Sequence, residues 1–501
     1  MKFFKKHKVE IILFLILVLA YFLLRLPNLT LQPIFADEAI YIRWAQVMRA
    51  EPTLRFVSLT DGKTPLFMWL MIPLFKVFSD PLFAGRLLSV IAGFFTLIGV
   101  FLLSKKVFSV RVALWASLLY VITPYTVFFD RMALVDSLLS AFTIWAIYIA
   151  TWLVRSLRLD LAMILGYLLG GALLTKTPAM INLLVLPVTL IGLRKNAKDK
   201  YPYIKAVAFL AVSALIALVI YNLLILGPGF SQLSARNADY VFSPLELKNR
   251  IWDPFIPHLH DMFDWFPRLF TIPTLILIGI GIYQLLFTVN KLGMIILIWT
   301  LVPLILEMTF LRTFTARYLL TSVAPFLIFG GYGLTKALEK IRVNTFLKIL
   351  IALFAVLPLA LKFDYQLLTS PPPTDLPKEG RIGYFEDWTA GYGLKEIANY
   401  LIEQKKIRGD VVVGTAGYFG TLPDGLQIYL DKAEIAIVGS PATISAQIRD
   451  TAKEHPTYFV GNKKDLVPSI NDSIKLIMEF PKAKPKDGSL PDATVLYQVL
   501  P

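Results

Sequence analysis

Apolar runs about as long as a bilayer is thick recur along this chain, broken by short polar stretches that carry most of the charge. A helix needs about 20 apolar residues to cross the hydrocarbon core. The pattern therefore predicts a polytopic α-helical membrane protein with about eleven transmembrane helices, over about 9–26, 86–104, 112–129, 137–154, 160–175, 178–193, 205–226, 269–289, 292–310, 318–335 and 346–362. The run 65–79 is apolar but short and carries Lys76, which fits a peripheral helix in the first outer loop better than a crossing. From about 364 the pattern changes. Pro371-Pro372-Pro373-Thr374 marks a linker. Short apolar runs at 411–415, 427–430, 434–439 and 457–461 then alternate with helical periodicity, as over 443–455. That reads as a small α/β domain. The expected organisation is a transmembrane domain over 1–363 and an extracytoplasmic domain over 364–501.

Charge supplies the orientation. Lys2, Lys5, Lys6 and Lys8 precede the first run, and Lys105, Lys106, Arg155, Arg158, the stretch 194–205, Lys336 and Lys340 fall at alternate span ends. Lysine and arginine mark cytoplasmic loops, so the N-terminus is expected inside and the C-terminal domain outside a plasma membrane. The net charge of +15 in a soluble chain would suggest nucleic acid, but 56% hydrophobic residues and basic residues at span ends remove that reading. No cysteine is present, which excludes disulfides and thiol nucleophiles. The first apolar run is long and lacks a small-residue cleavage site, so it reads as an anchor and not a removed signal.

This topology gathers polar residues on one outer side. Asp37 and Glu38 are adjacent carboxylates after the first span. They are either a solvated loop pair or a base and its partner, the partner binding acceptor, orienting the loop or holding a metal. Lys63 precedes Pro65 at the peripheral helix, either snorkelling or aimed at a phosphate. Asp130-Arg131 is an ion pair or a site element, and Asp136 either supports a helix start or faces the reaction. Lys176, Arg317 and Tyr318 lie where the positive-inside rule disfavours cations, and a phosphate-bearing lipid explains them together. His258, His260, Asp261 and Asp264 precede the eighth span, but His-x-His alone is a weak metal signal. The glycines at 414, 417 and 420 follow a strand without forming G-x-G-x-x-G, so they support a nucleotide site weakly.

An acidic pair after the first span, Lys63-Thr64-Pro65, the Arg131 to Asp136 turn and Leu174-Thr175-Lys176-Thr177-Pro178 together resemble the GT-C glycosyltransferases, in particular the protein O-mannosyltransferase and aminoarabinose transferase group. The similarity spans about 1–335 and is best over 30–195. It implies inverting transfer of a sugar from a polyprenyl-phosphate donor to a protein, lipid or glycan acceptor at the outer face. By resemblance, Asp37 is the base, Asp136 an acidic position near it, and Lys63, Lys176 and Tyr318 belong to the lipid phosphate, with Arg131 and Arg317 as further cations. Some relatives hold a divalent metal through the residue before the peripheral-helix lysine and a later histidine. Here Gly62 stands at the first position, with Asp61 and His260 nearby, so no metal is required and one remains an option. The competing classes are a secondary transporter or lipid flippase, which would place its ionisable residues near the midplane, and a glycosidase using Asp37 with Asp136. A sensor or scaffold with a receptor-like outer domain is a further class, and it leaves the lysines unexplained.

Overall fold

The computed structural model describes residues 8–194, 200–248, 250–466 and 473–501, so Lys2, Lys5, Lys6 and the centre of the basic stretch 194–205 lie outside the described residues. The chain forms two compact units, each assembled from separate segments. The first comprises 1–27, 55–67 and 87–368, and the second 28–54, 68–86 and 369–501.

Each predicted span falls on helical backbone. Among the described residues six helices are long and apolar enough to cross a membrane, and two bent pairs raise that to eight. The remaining predicted spans are shorter or interrupted for identifiable reasons. Leu159–Thr175 has 17 residues, about 25 Å of rise. Pro178 and Pro187 divide 177–192 into 3₁₀, α and 3₁₀ pieces. The first helix, Lys8–Arg25, carries Lys8, Glu10 and Arg25 towards its ends. The predicted third span bends by 59° between Val110–Ile122 and Pro124–Asp130, because Pro124 cannot continue the ladder.

That break explains a buried charge cluster in the first unit. The helix ending at Ile122 leaves carbonyls without intrahelical partners. Arg25, fully buried, donates to Val121 O at 2.9 Å and Tyr120 O at 3.2 Å, and its Nε meets Asp130 at 3.0 Å. Ser137 at 2.9 Å, Tyr120 Oη at 3.1 Å and Tyr21 Oη at 3.4 Å also donate to Asp130. Helices pack closely elsewhere: a Cβ at Gly281 would run into the Phe329 carbonyl, and one at Gly333 into that of Leu277. The Ile272–Thr288 and Leu320–Lys340 helices therefore meet backbone to backbone.

The second unit contains a five-stranded sheet in the order β4-β3-β5-β7-β6, with β3 Val412–Ala416, β4 Ala436–Ser440, β5 Thr457–Asn462, β6 Ile474–Pro481 and β7 Ala493–Val499. The β3 strand pairs in parallel with β4 and β5, whereas β7 is antiparallel to β5 and β6. The run 427–430, expected among the short apolar runs of the α/β domain, is the end of the helix Asp424–Leu430. It forms the crossover that two parallel neighbours require. A two-residue ribbon, β1 Ile34–Phe35 against β2 Ala390–Gly391, leads into the helix Ala36–Ala50. That helix is fixed by Gln46 donating to Ile428 O and by Arg43 and Arg49 on Asp431, at 2.9, 3.0 and 2.7 Å.

Candidate active site

The helix Leu159–Thr175 ends because Lys176 turns to extended backbone before the Thr177-Pro178 turn. Its side chain reaches the first turn of Val135–Ser156 and donates to Asp136 at 2.7 Å. Asp136 is buried. The Lys176 ammonium lies 3.8 Å from the centre of the Tyr318 ring, which Arg317 approaches at 5.3 Å. The predicted residues Asp136, Lys176, Arg317 and Tyr318 thus come together within the first unit. An ammonium has three donors. With Asp136 taking one and an aromatic face beneath, Lys176 is poised to hold an anion.

A second group adjoins the same loop. Residues 240–242 bridge to 310–312, with Arg312 N donating to Tyr240 O at 2.8 Å and Phe242 N to Phe310 O at 2.7 Å. The Lys63 ammonium sits 4.6 Å from the Tyr240 ring. The loop 311–319 therefore connects the neighbourhoods of Lys63 and Lys176. Gly62 has φ +70°, and a Cβ there would lie 2.6 Å from Cβ of Arg236. Arg236 pairs with Asp61 at 2.6 Å.

These contacts test a metal. Asp61 is neutralised by Arg236, the Gly62 position carries no side chain, and His260 is exposed. His258 stacks on Phe314 and bonds Met308 O at 2.7 Å. Among the described residues no three His, Asp or Glu side chains gather into a metal-binding group. This donor set does not fit a divalent cation.

Arg131 has a different task from the one expected. It is buried and donates Nη1 to Arg25 O at 2.7 Å and Pro27 O at 2.9 Å, carbonyls at the end of the first helix. In the second unit, Glu38 is likewise engaged. Fully buried, it takes two hydrogen bonds from Arg86, both 2.8 Å, and one from Phe35 N at 3.0 Å. Arg86 also donates to the carbonyls of Leu29, Gln32 and Pro33. The pair shapes the turn that presents Asp37, half-buried in the first turn of Ala36–Ala50, where the helix N-terminus favours an ionised carboxylate. Burial, then the charge of Asp80, pushes the nearby Tyr429 phenol well up, so it stays neutral. Sequence reasoning missed Arg25, Arg86 and Glu307, the last an acid inside the span Lys291–Phe310. A lone carboxylate in an apolar span was the available signal.

Residues 62–221 match the family of dolichyl-phosphate-mannose-protein mannosyltransferases. No curated protein matches the chain in sequence. Among solved structures, ArnT from Cupriavidus metallidurans in the apo state aligns with a TM-score of 0.61 at 13% identity, over 98% of each chain. The same protein bound to undecaprenyl phosphate aligns at 0.58, with the same identity and coverage. The archaeal oligosaccharyltransferase AglB from Archaeoglobus fulgidus, in complex with an inhibitory peptide and a dolichol-phosphate, aligns at 0.54 and 13% identity, over 92% of this chain and 70% of that one.

Proposed function

We propose that this multi-pass membrane protein, which carries the GT-C glycosyltransferase fold, moves a sugar from a polyprenyl-phosphate donor to an acceptor hydroxyl or amine at the outer face of the membrane. The observation that carries this reading is Lys176, clamped by Asp136 at 2.7 Å above Tyr318 at 3.8 Å. A cation fixed by its own counter-ion and an aromatic ring binds a phosphate without first having to be ordered. Lys63 and Arg317 add positive charge. As the bond from the anomeric carbon to the phosphate oxygen breaks, charge grows on that oxygen, and these groups stabilise it. Asp136 positions Lys176.

Asp37 takes the proton of the attacking acceptor group. It stands in a helix first turn, and Glu38 with Arg86 holds that turn. Attack on the face opposite the departing phosphate inverts the anomeric centre. The similarity to proteins seen with undecaprenyl phosphate and dolichol-phosphate supports the donor class.

The test is to incubate purified protein with a panel of polyprenyl-phosphate sugars and candidate acceptors and to follow release of polyprenyl phosphate. Acceptor-dependent release is expected. Release with none of the panel, from folded protein, would overturn the proposal.

A further inference from the structure

Glu307 has no part in the chemistry above, yet it is 6% exposed and its Oε2 has no hydrogen-bond partner among the described residues. Leaving a buried polar group without a hydrogen-bond partner costs stability. It lines a small cleft, about 10 Å³, with Thr143, Asn182, Trp299, Pro303 and Thr321. That space holds about one water-sized group. The wall does not supply the missing donor. Asn182 spends its amide N–H on Thr143 at 3.1 Å, and its oxygen accepts from Trp299 Nε1 at 2.9 Å. The cleft therefore sets the open Oε2 of Glu307 beside a hydrogen-bonded Trp299–Asn182–Thr143 chain. Glu307 is also within electrostatic reach of Lys176 and Asp136. Pro178 and Ala179, in the turn that follows Lys176, also line the cleft, so a group bound through its phosphate at Lys176 would have its next atoms near it.

We infer that Glu307 is a specificity-determining residue that accepts a hydrogen bond from one hydroxyl of the donor sugar, a hydroxyl that takes the water-sized place in the cleft. This rests on the polyprenyl-phosphate-sugar reading. The consequence is selectivity, because a site built to bond a hydroxyl discriminates strongly against a donor lacking it. A purely structural acid would affect every lipid phosphate alike.

The experiment compares wild type and Glu307→Gln, both purified as the full chain in lipid nanodiscs. Two probes are titrated: bare undecaprenyl phosphate, and whichever sugar in a panel of undecaprenyl-phosphate-linked hexoses and pentoses binds wild type most tightly. The substitution keeps the shape and exchanges one carboxyl oxygen for an amide nitrogen that cannot accept, so about a tenfold loss is expected for the sugar-bearing lipid. Bare undecaprenyl phosphate should change less than about threefold by the same reasoning. Equal losses for both probes, or no loss for either, would overturn the inference while leaving the donor reading intact. Failure of wild type to bind either lipid would overturn both. If Glu307→Gln does not fold, Glu307→Asp, which withdraws the carboxylate by one methylene, carries the same comparison.

Discussion

Replacing Glu38 by glutamine separates a carboxylate that anchors from one that reacts. Glu38 and Arg86 are both fully buried, and two 2.8 Å hydrogen bonds join them. Glutamine keeps the shape but leaves the guanidinium without its counter-ion. Removing one partner of a buried pair costs about 3–5 kcal/mol. The three carbonyls on Arg86, from Leu29, Gln32 and Pro33, remain and temper the loss. A domain's whole stability is about 5–15 kcal/mol, so the change should lower the midpoint of thermal unfolding of the second unit by about 6–20 °C. The assay is thermal unfolding in detergent, followed by intrinsic fluorescence, with limited proteolysis between 28 and 54. A Glu38→Gln protein with wild-type unfolding and abolished sugar transfer would refute the anchoring role and make Glu38 a reacting group.

Asp37→Asn should abolish transfer, by about 10²–10⁴-fold if it removes a general base, with undecaprenyl phosphate binding retained. Lost binding in equal measure would show a structural role instead. Gly62→Ala should destabilise the loop around Lys63 by about 1–2 kcal/mol, the left-handed penalty, plus the contact with Arg236, and limited proteolysis within 55–64 should speed up; unchanged cleavage would contradict this. Burial raises the Asp424 carboxyl above its ordinary value, so the folded state holds that proton more tightly. Stability should therefore fall as pH rises from about 4 through the raised value. Asp424→Asn, which keeps an acceptor for Gly420 N–H, should flatten this dependence in unfolding curves taken across acid pH.

Hydropathy located the helices because each apolar run meets its own need for burial locally. It could not count the crossings. A proline such as Pro178 or Pro124 breaks the ladder without interrupting the apolar run. The C-terminal strands β6 and β7 went unread, although Ala493–Val499 is rich in strand formers. At the candidate site, Lys176, Asp136, Arg317 and Tyr318 were legible as cations and acids out of place beside apolar spans. Their neighbours were not. Arg86 and Glu38 are 48 residues apart, and Arg25 and Asp130 are 105 apart. No local pattern ties such partners together, so neither the Arg86 pairing of Glu38 nor the carbonyls that Arg131 holds could be read from the sequence. Glu307 was visible in principle, as a single acid in an apolar run, but its unmet hydrogen bond exists only once the helices pack.

The most direct measurement is the affinity of the full-length protein for undecaprenyl phosphate before and after Lys176→Met, with Lys106→Met as a control cation outside the site. Loss of a charge-assisted contact to phosphate should weaken binding by about 10- to 150-fold in Lys176→Met, and Lys106→Met should bind as wild type does. Equal affinity in all three proteins would contradict the phosphate-binding role of Lys176 and, with it, the proposed use of a lipid-phosphate sugar.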